Sequence, residues 1–327
     1  MATADQVKAL IRSHADGDDQ RFFAIAMQVA AQAARQGHTR FAQELRDLVD
    51  EARGQAKASG GQRTRPVALV QPRGELAGVL TATYPKAKLS ELALDEAVRS
   101  RIDRILLEQR QRGRIQEHGL APLRKLLLIG PPGTGKTTTA AVLAAELGLP
   151  LFTIQLHGLI TKYLGETAAK LRLIFDTIQE TRAVYLFDEF DALGSKRTAR
   201  NEVGEIRRVL NSFLQFLEQD ASDSVVVAAT NHPRLLDRAL FRRFDAVVEY
   251  ELPTSDVAER VMQSRLALLD TSGVEWAKVV DAAKGLSHAE LSRASEHAAK
   301  NAILAHRRHV STEEVVEAVT ERRATQR

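Results

Sequence analysis

The chain has 327 residues, of which 44% are hydrophobic and 27% charged, enough apolar material for two or three units of about 100–200 residues each. Its 46 basic and 42 acidic residues leave a net charge of +4, a mild bias that permits acidic partners without demanding them. There is no cysteine, which excludes disulfides, thiolate nucleophiles and cysteine-ligated zinc or iron–sulfur sites.

No run approaches the ~18 consecutive apolar residues of a membrane span. The opening segment MATADQVKALIRSHADGDD lacks the uncharged apolar core of a signal peptide. The expectation is a soluble cytoplasmic protein with no membrane partner. Residues 1–55 read as a small helical domain. Asp18 can cap a helix that runs to about Arg35, with Gly37 just past its end. Phe22, Ile25, Ala26, Val29, Ala30 and Ala33 share one helical face, and Val7–Ile11 and Phe41–Val49 repeat that character. The pattern fits a bundle that buries these faces on itself, and equally a module that docks a substrate or partner. Residues 56–84 read as a linker, rich in Gly, Pro and Arg up to position 74.

A helix is predicted from about 95 to 117, with Val98, Ile102, Ile105 and Leu106 on its apolar side. It carries Arg99, Arg101, Arg104, Arg110, Arg112 and Arg114. A solvated face is the ordinary reading of such a run, and without interleaved aromatics nucleic-acid contact is the weaker one. From about 124 the texture changes. Leu126–Ile129, Leu151–Ile154, Val184–Phe187, Val225–Ala229 and Ala246–Val248 are short apolar runs separated by helical stretches. That alternation predicts an α/β unit over 85–252, a parallel sheet with helices on both faces. Only helical patterns follow, so 253–327 is predicted to be a helical subdomain, with Gly285-Leu286-Ser287 leading into a helix at about 289–305.

Gly130-Pro131-Pro132-Gly133-Thr134-Gly135-Lys136-Thr137 follows the strand KLLLI and opens a helix. This is the P-loop (Walker A) pattern in its required strand–loop–helix context. The glycines let the backbone curl so that N–H groups, including that of Thr138 in the first helical turn, point at phosphate oxygens. The helix N-terminus adds partial positive charge. Lys136 supplies a cation for the β- and γ-phosphates of ATP, and Thr137 a hydroxyl ligand for Mg2+. Ala183-Val-Tyr-Leu-Phe-Asp188-Glu189 delivers two carboxylates at a strand's C-terminal end, the Walker B position. Asp188 is placed to hold Mg2+, and Glu189 to orient and deprotonate the attacking water.

GPPGTGKT, YLFDEFDAL, AATN and LDRALFRRFD, in that order, resemble an AAA+ ATPase over roughly residues 85–320. Within that family the chain is similar to the protein-remodelling branch of katanin, spastin and the vacuolar-sorting disassembly ATPase. The resemblance implies a P-loop NTPase subdomain, a C-terminal helical lid, and a homo-oligomeric ring, usually a hexamer, with ATP at subunit interfaces. It implies that Asn231 is the sensor 1 residue that places the lytic water. Arg242 and Arg243 match arginine fingers, the alternative being a solvated pair or an ion pair with Asp237 or Asp245. His118-Gly119-Leu120 matches an adenine-flanking segment. Gly285-Leu-Ser-His288-Ala289-Glu290-Leu291 resembles the family's lid motif GxSGAD, with His288 where Gly is usual and Ala289 as a nucleotide contact. No sensor 2 arginine stands at the matching place.

Lys162, Tyr163, Leu164 and Gly165 fall where threading members of the family carry a pore loop between the second strand and the next helix. An aromatic ring grips polypeptide with little demand on sequence. The implied function is Mg2+-dependent ATP hydrolysis that drives protein unfolding or remodelling through a central pore. The alternative is a nucleotide-dependent switch or loader acting on nucleic acid. No HExxH motif is present, so a peptidase partner would be a separate polypeptide. The segment LIRSHADGDDQRFFAIAMQVAAQAARQGH looks similar to the leader of bacterial ATPases encoded beside a subtilisin-like serine protease, some in anti-phage defence.

Overall fold

The computed structural model describes residues 78–159, 164–193, 200–236 and 238–325, together with Ala26, Met27, Val29, Ala30, Ala33, Gln43, Val49 and Leu76. The chain forms two compact units, Met1–Ala68 and Leu69–Arg327. In the first, Ala26, Val29, Ala30 and Ala33 are helical and buried, in keeping with their helical spacing. Phe22 and Ile25 of the same predicted face lie outside the described residues.

The second unit is built on a six-stranded sheet of order β1-β3-β4-β5-β2-β6. The strands are β1 (Leu80–Thr83), β2 (Lys125–Ile129), β3 (Leu151–Gln155), β4 (Val184–Asp188), β5 (Val225–Thr230) and β6 (Ala246–Glu249). The five predicted strands are all present and mutually parallel. The correction is β1, an antiparallel edge strand paired with β3, which lies inside the stretch read as linker. Four residues beside a Gly/Pro/Arg-rich tract carry too short an alternation to be seen. Val79 and Leu80 become core residues only because β3 offers a free edge.

Period two along each strand divides the interior into two layers. Leu126, Leu128, Val184, Leu186, Val225 and Val227 face helices α1 (Glu96–Arg110) and α3 (Lys136–Glu146), through Ile102, Ile105, Leu106 and Leu143. Leu127, Phe152, Tyr185, Phe187 and Val226 face α5 (Leu164–Glu180) and α6 (Arg200–Gln219), through Ile174, Phe175, Phe213 and Leu217. Strands covered on both faces must be apolar at every position, which is why they read as unbroken apolar runs.

Two short helices join these, α2 (Arg112–Glu117) and α4 (Leu156–Leu159). The helix predicted over 95–117 is thus two, broken at Gln111, whose backbone (φ −100°, ψ 17°) leaves the helical region just before Gly113. The connection from β5 to β6 carries α7 (Arg238–Phe241). Past β6 come α8 (Ser255–Leu266), α9 (Trp276–Ala283), α10 (His288–Leu304) and α11 (Thr312–Ala324). They enclose a separate core of Val257, Met262, Leu266, Val279, Leu291, Ala298, Val315 and Val319, the predicted helical lid. Ser287 and Ser311 open α10 and α11 with reciprocal capping boxes to Glu290 and Glu314. Among the described residues no helix is long and apolar enough to cross a membrane.

Candidate nucleotide site

Register brings the site together. Ile129 pairs with Thr230 across β2 and β5, and Phe187 with Ala228 across β4 and β5. Gly130, Asn231 and Glu189 therefore leave the sheet side by side at its C-terminal edge, where parallel sheets place ligands. Asn231 sits on the strand between the other two.

The loop from Gly130 to Gly135 turns on three left-handed glycines, with φ of 146° at Gly130, 75° at Gly133 and 100° at Gly135. A Cβ on Gly130 would stand 2.2 Å from the Tyr250 carbonyl oxygen, so the backbone passes where no side chain fits. Among the described residues, the backbone N–H groups from Gly133 to Thr138 find no backbone acceptor. A row of unpaired donors at the start of α3 is what a polyphosphate requires. Lys136 is buried and donates from Nζ to the carbonyl oxygens of Gly130 (2.8 Å) and Pro131 (2.7 Å). Burial pushes its ammonium down to about 8, although Asp188 and Asp191 act to raise it. Thr134 closes the loop with a 2.8 Å bond from Oγ1 to the Pro131 carbonyl.

Thr137 Oγ1 donates to Asp188 Oδ2 at 2.8 Å. Two hard oxygen ligands thus converge beside the phosphate cradle. That suits Mg2+, which keeps most of its water and takes one or two protein oxygens together with phosphate. Asp188 Oδ1 accepts the Glu189 N–H at 2.9 Å. Glu189 holds φ of 51°, one of two described non-glycine residues in the left-handed region. Its neighbour Phe190 is fully buried against Phe213, with ring centroids 4.8 Å apart, so the chain turns sharply between an exposed carboxylate and an anchored ring.

Asp191 was not foreseen. Its Oδ1 accepts from Thr230 Oγ1 (2.9 Å) and from the Asn231 N–H (3.3 Å), which locks the end of β5 to the turn after β4. The signal in the sequence was its place, two residues beyond Glu189 in FDEFDAL.

The lid reaches the loop. Ala289 N–H donates to the Gly133 carbonyl at 3.0 Å, and a Cβ on Gly133 would lie 2.5 Å from Ser287 Oγ. Arg242 and Arg243 are exposed after α7. Arg243 pairs with Glu218 of α6, whereas Asp245 instead accepts the N–H groups of Arg124 and Lys125. Asp237 lies outside the described residues. His118 is exposed and its Nδ1 lies 2.8 Å from the Arg114 carbonyl oxygen of its own helix; Gly119 takes φ of 72°. Of the predicted pore loop, Lys162 and Tyr163 lie outside the described residues, and Leu164 and Gly165 are the first residues of α5 rather than loop. An acidic Glu166 in that first turn favours the earlier helix start.

Comparison with known proteins gives the family. Residues 126–252 match the profile described as ATPase family associated with various cellular activities. An uncharacterised AAA family ATPase of Sinorhizobium fredii is 34% identical over 315 residues, 95% of this chain and 92% of that protein. The ATP-dependent zinc metalloprotease FtsH of Lancefieldella parvula is 38% identical over 213 residues, and the proteasome-activating nucleotidase of Pyrococcus horikoshii 34% over 212. These two matches take in 62% of this chain but only 33% and 53% of those proteins. The crystal structure of the FIGL-1 AAA domain superposes with a TM-score of 0.61 at 23% identity, covering 78% of this chain and 91% of that one, a likeness of fold.

Proposed function

Because this chain belongs to the AAA family of ATPases, we propose that it hydrolyses ATP with Mg2+ at the site just described and uses the cycle to unfold or remodel protein in a homo-oligomeric ring. The observation that carries the hydrolytic part is the convergence of Lys136, the Thr137–Asp188 pair and Glu189 at one sheet edge. In this reading the loop N–H groups and Lys136 hold the phosphates. Thr137 and Asp188 hold Mg2+, which when bound neutralises charge on the transferring phosphoryl group. Glu189 takes the proton of the attacking water, and Asn231 orients that water. Exposed Arg242 and Arg243 serve the neighbouring subunit's site, where such a residue can be worth ~10³–10⁵ in rate. Lys162 and Tyr163, just before α5 in the chain, grip the polypeptide, and a separate serine protease receives it.

The nucleic-acid reading is weaker. Four of the six arginines of the basic stretch at 99–114 have an acidic partner within the molecule, Arg99 with Asp103 at 3.7 Å, Arg104 with Glu108 at 2.6 Å, Arg110 with Glu146 at 2.7 Å and Arg112 with Asp223 at 3.6 Å. The test of the proposal is turnover and unfolding of a tagged reporter by wild type, Glu189→Gln and Tyr163→Ala. Glu189→Gln should bind ATP without turnover, and Tyr163→Ala should hydrolyse without unfolding. Hydrolysis by Glu189→Gln at the wild-type rate sinks the site assignment, and unimpaired unfolding by Tyr163→Ala sinks the threading.

A further inference from the structure

A buried phenol ties together the two ends of the phosphate loop. Tyr250 directly follows β6, and its N–H donates to the Ile129 carbonyl at 2.7 Å, which carries the β2–β6 pairing one residue further. Its backbone therefore lies against Gly130, where the loop begins. Its side chain reaches the other end. Tyr250 Oη donates to Thr139 Oγ1 at 2.8 Å, and Thr139 Oγ1 donates to the Gly135 carbonyl at 3.0 Å. The Thr139 N–H meets the same carbonyl at 2.8 Å. The direction of this relay is fixed, because a carbonyl only accepts: Thr139 gives its one hydroxyl proton to Gly135 and must take the proton of Tyr250. Tyr250 and Thr139 are both buried, and burial raises the phenol's pKa well above its ordinary value, so that proton stays in place.

Neither residue belongs to GPPGTGKT. A buried tyrosine needs a partner for its hydroxyl, and Tyr185 shows the simple solution: its Oη donates to the Thr181 carbonyl at 2.8 Å and the chain of bonds ends there. From Tyr250 the chain continues into the loop. Gly135 is the N-cap of α3, with φ of 100° and ψ of 9°, and has no side chain to hold its own peptide group. Its carbonyl lies in the same planar unit as the Lys136 N–H, one of the donors left without a backbone acceptor. Two bonds on that carbonyl aim the N–H, and a chain of bonds in a dry interior polarises it toward a stronger donor. We propose that Tyr250 is a positioning residue which, through Thr139, fixes the Gly135–Lys136 peptide so that its N–H meets a phosphate oxygen of the nucleotide.

The inference rests on the ATPase reading above, and its test separates the two. On the full chain, the dissociation constant of ADP is measured calorimetrically, with kcat and KM for ATP hydrolysis, in wild type, Tyr250→Phe, Thr139→Val, Thr139→Ser and the double variant Tyr250→Phe/Thr139→Val. Tyr250→Phe keeps the ring and removes the relay's first donor. Its ADP affinity should fall ~3–10-fold, the worth of one hydrogen bond. Its KM should rise by the same factor with kcat held within about twofold, because the donor meets phosphate both before and during the reaction. A phenol that served the fold alone would lower kcat through loss of active protein and leave KM unchanged. Thr139→Val should weaken binding at least as much, and Thr139→Ser, which keeps the hydroxyl, should bind as wild type does. The double variant should be no weaker than Thr139→Val, since the two residues act in series. Unchanged KM and ADP affinity in Tyr250→Phe, single-variant effects that multiply in the double variant, or a Thr139→Ser as weak as Thr139→Val each overturn the inference, while wild-type turnover leaves the ATPase reading standing. Wild type that neither binds ADP nor hydrolyses ATP overturns both.

Discussion

The left-handed backbone at Glu189 makes a prediction whose sign runs against ordinary experience. An L-residue in that region costs roughly 1–2 kcal/mol. Glycine has no such penalty, but its freer unfolded chain normally makes it less favourable than alanine by about 0.5–1 kcal/mol. At φ of 51° the first term exceeds the second. Glu189→Gly should therefore be more stable than Glu189→Ala by about 0.5–1 kcal/mol, although both lose the same carboxylate. For a unit of this size that is a difference of ~1–4 °C in melting temperature. The assay is thermal and urea unfolding of the two variants without nucleotide. The strain persists because Phe190 is anchored in the core and Asp188 holds the Glu189 N–H, which together leave the turn no other path. A Glu189→Gly protein less stable than Glu189→Ala would refute the argument and show that this backbone is relaxed.

Two further outcomes follow from the phosphate loop. Lys136 has its pKa lowered to about 8 from an unfolded value of 10.5, so between those pH values the unfolded chain binds more protons than the folded one. Stability should rise with pH through that window, whereas a bound polyphosphate should draw a proton onto Lys136 near pH 8. Calorimetry in buffers of different ionisation enthalpy should record proton uptake on ADP binding at that pH, and Lys136→Met should lose it; equal uptake in both proteins counts against the assignment. Gly130→Ala should cost at least ~3 kcal/mol in urea unfolding, because its Cβ meets the Tyr250 backbone oxygen at 2.2 Å. Gly113→Ala, with nothing within 4 Å and a helical position, should instead stabilise by about 0.5–1 kcal/mol. A Gly130→Ala protein as stable as Gly113→Ala would refute the packing argument.

Chemistry that is local in the chain was legible from residues alone. GPPGTGKT, the paired carboxylates after VYLF and the five buried strands each announce themselves within a dozen positions, because a phosphate cradle and a doubly covered strand impose their composition on consecutive residues. What depends on distant partners was not legible. The strand Leu80–Thr83 exists because β3 has an open edge, and Asp191 matters because β5 ends beside it. Arg243 meets Glu218 rather than Asp245, and His288 gains its setting from segments nearly two hundred positions away in sequence. Such contacts are set by sheet order and by the closure of the lid, and neither has a periodic imprint on the residues that take part.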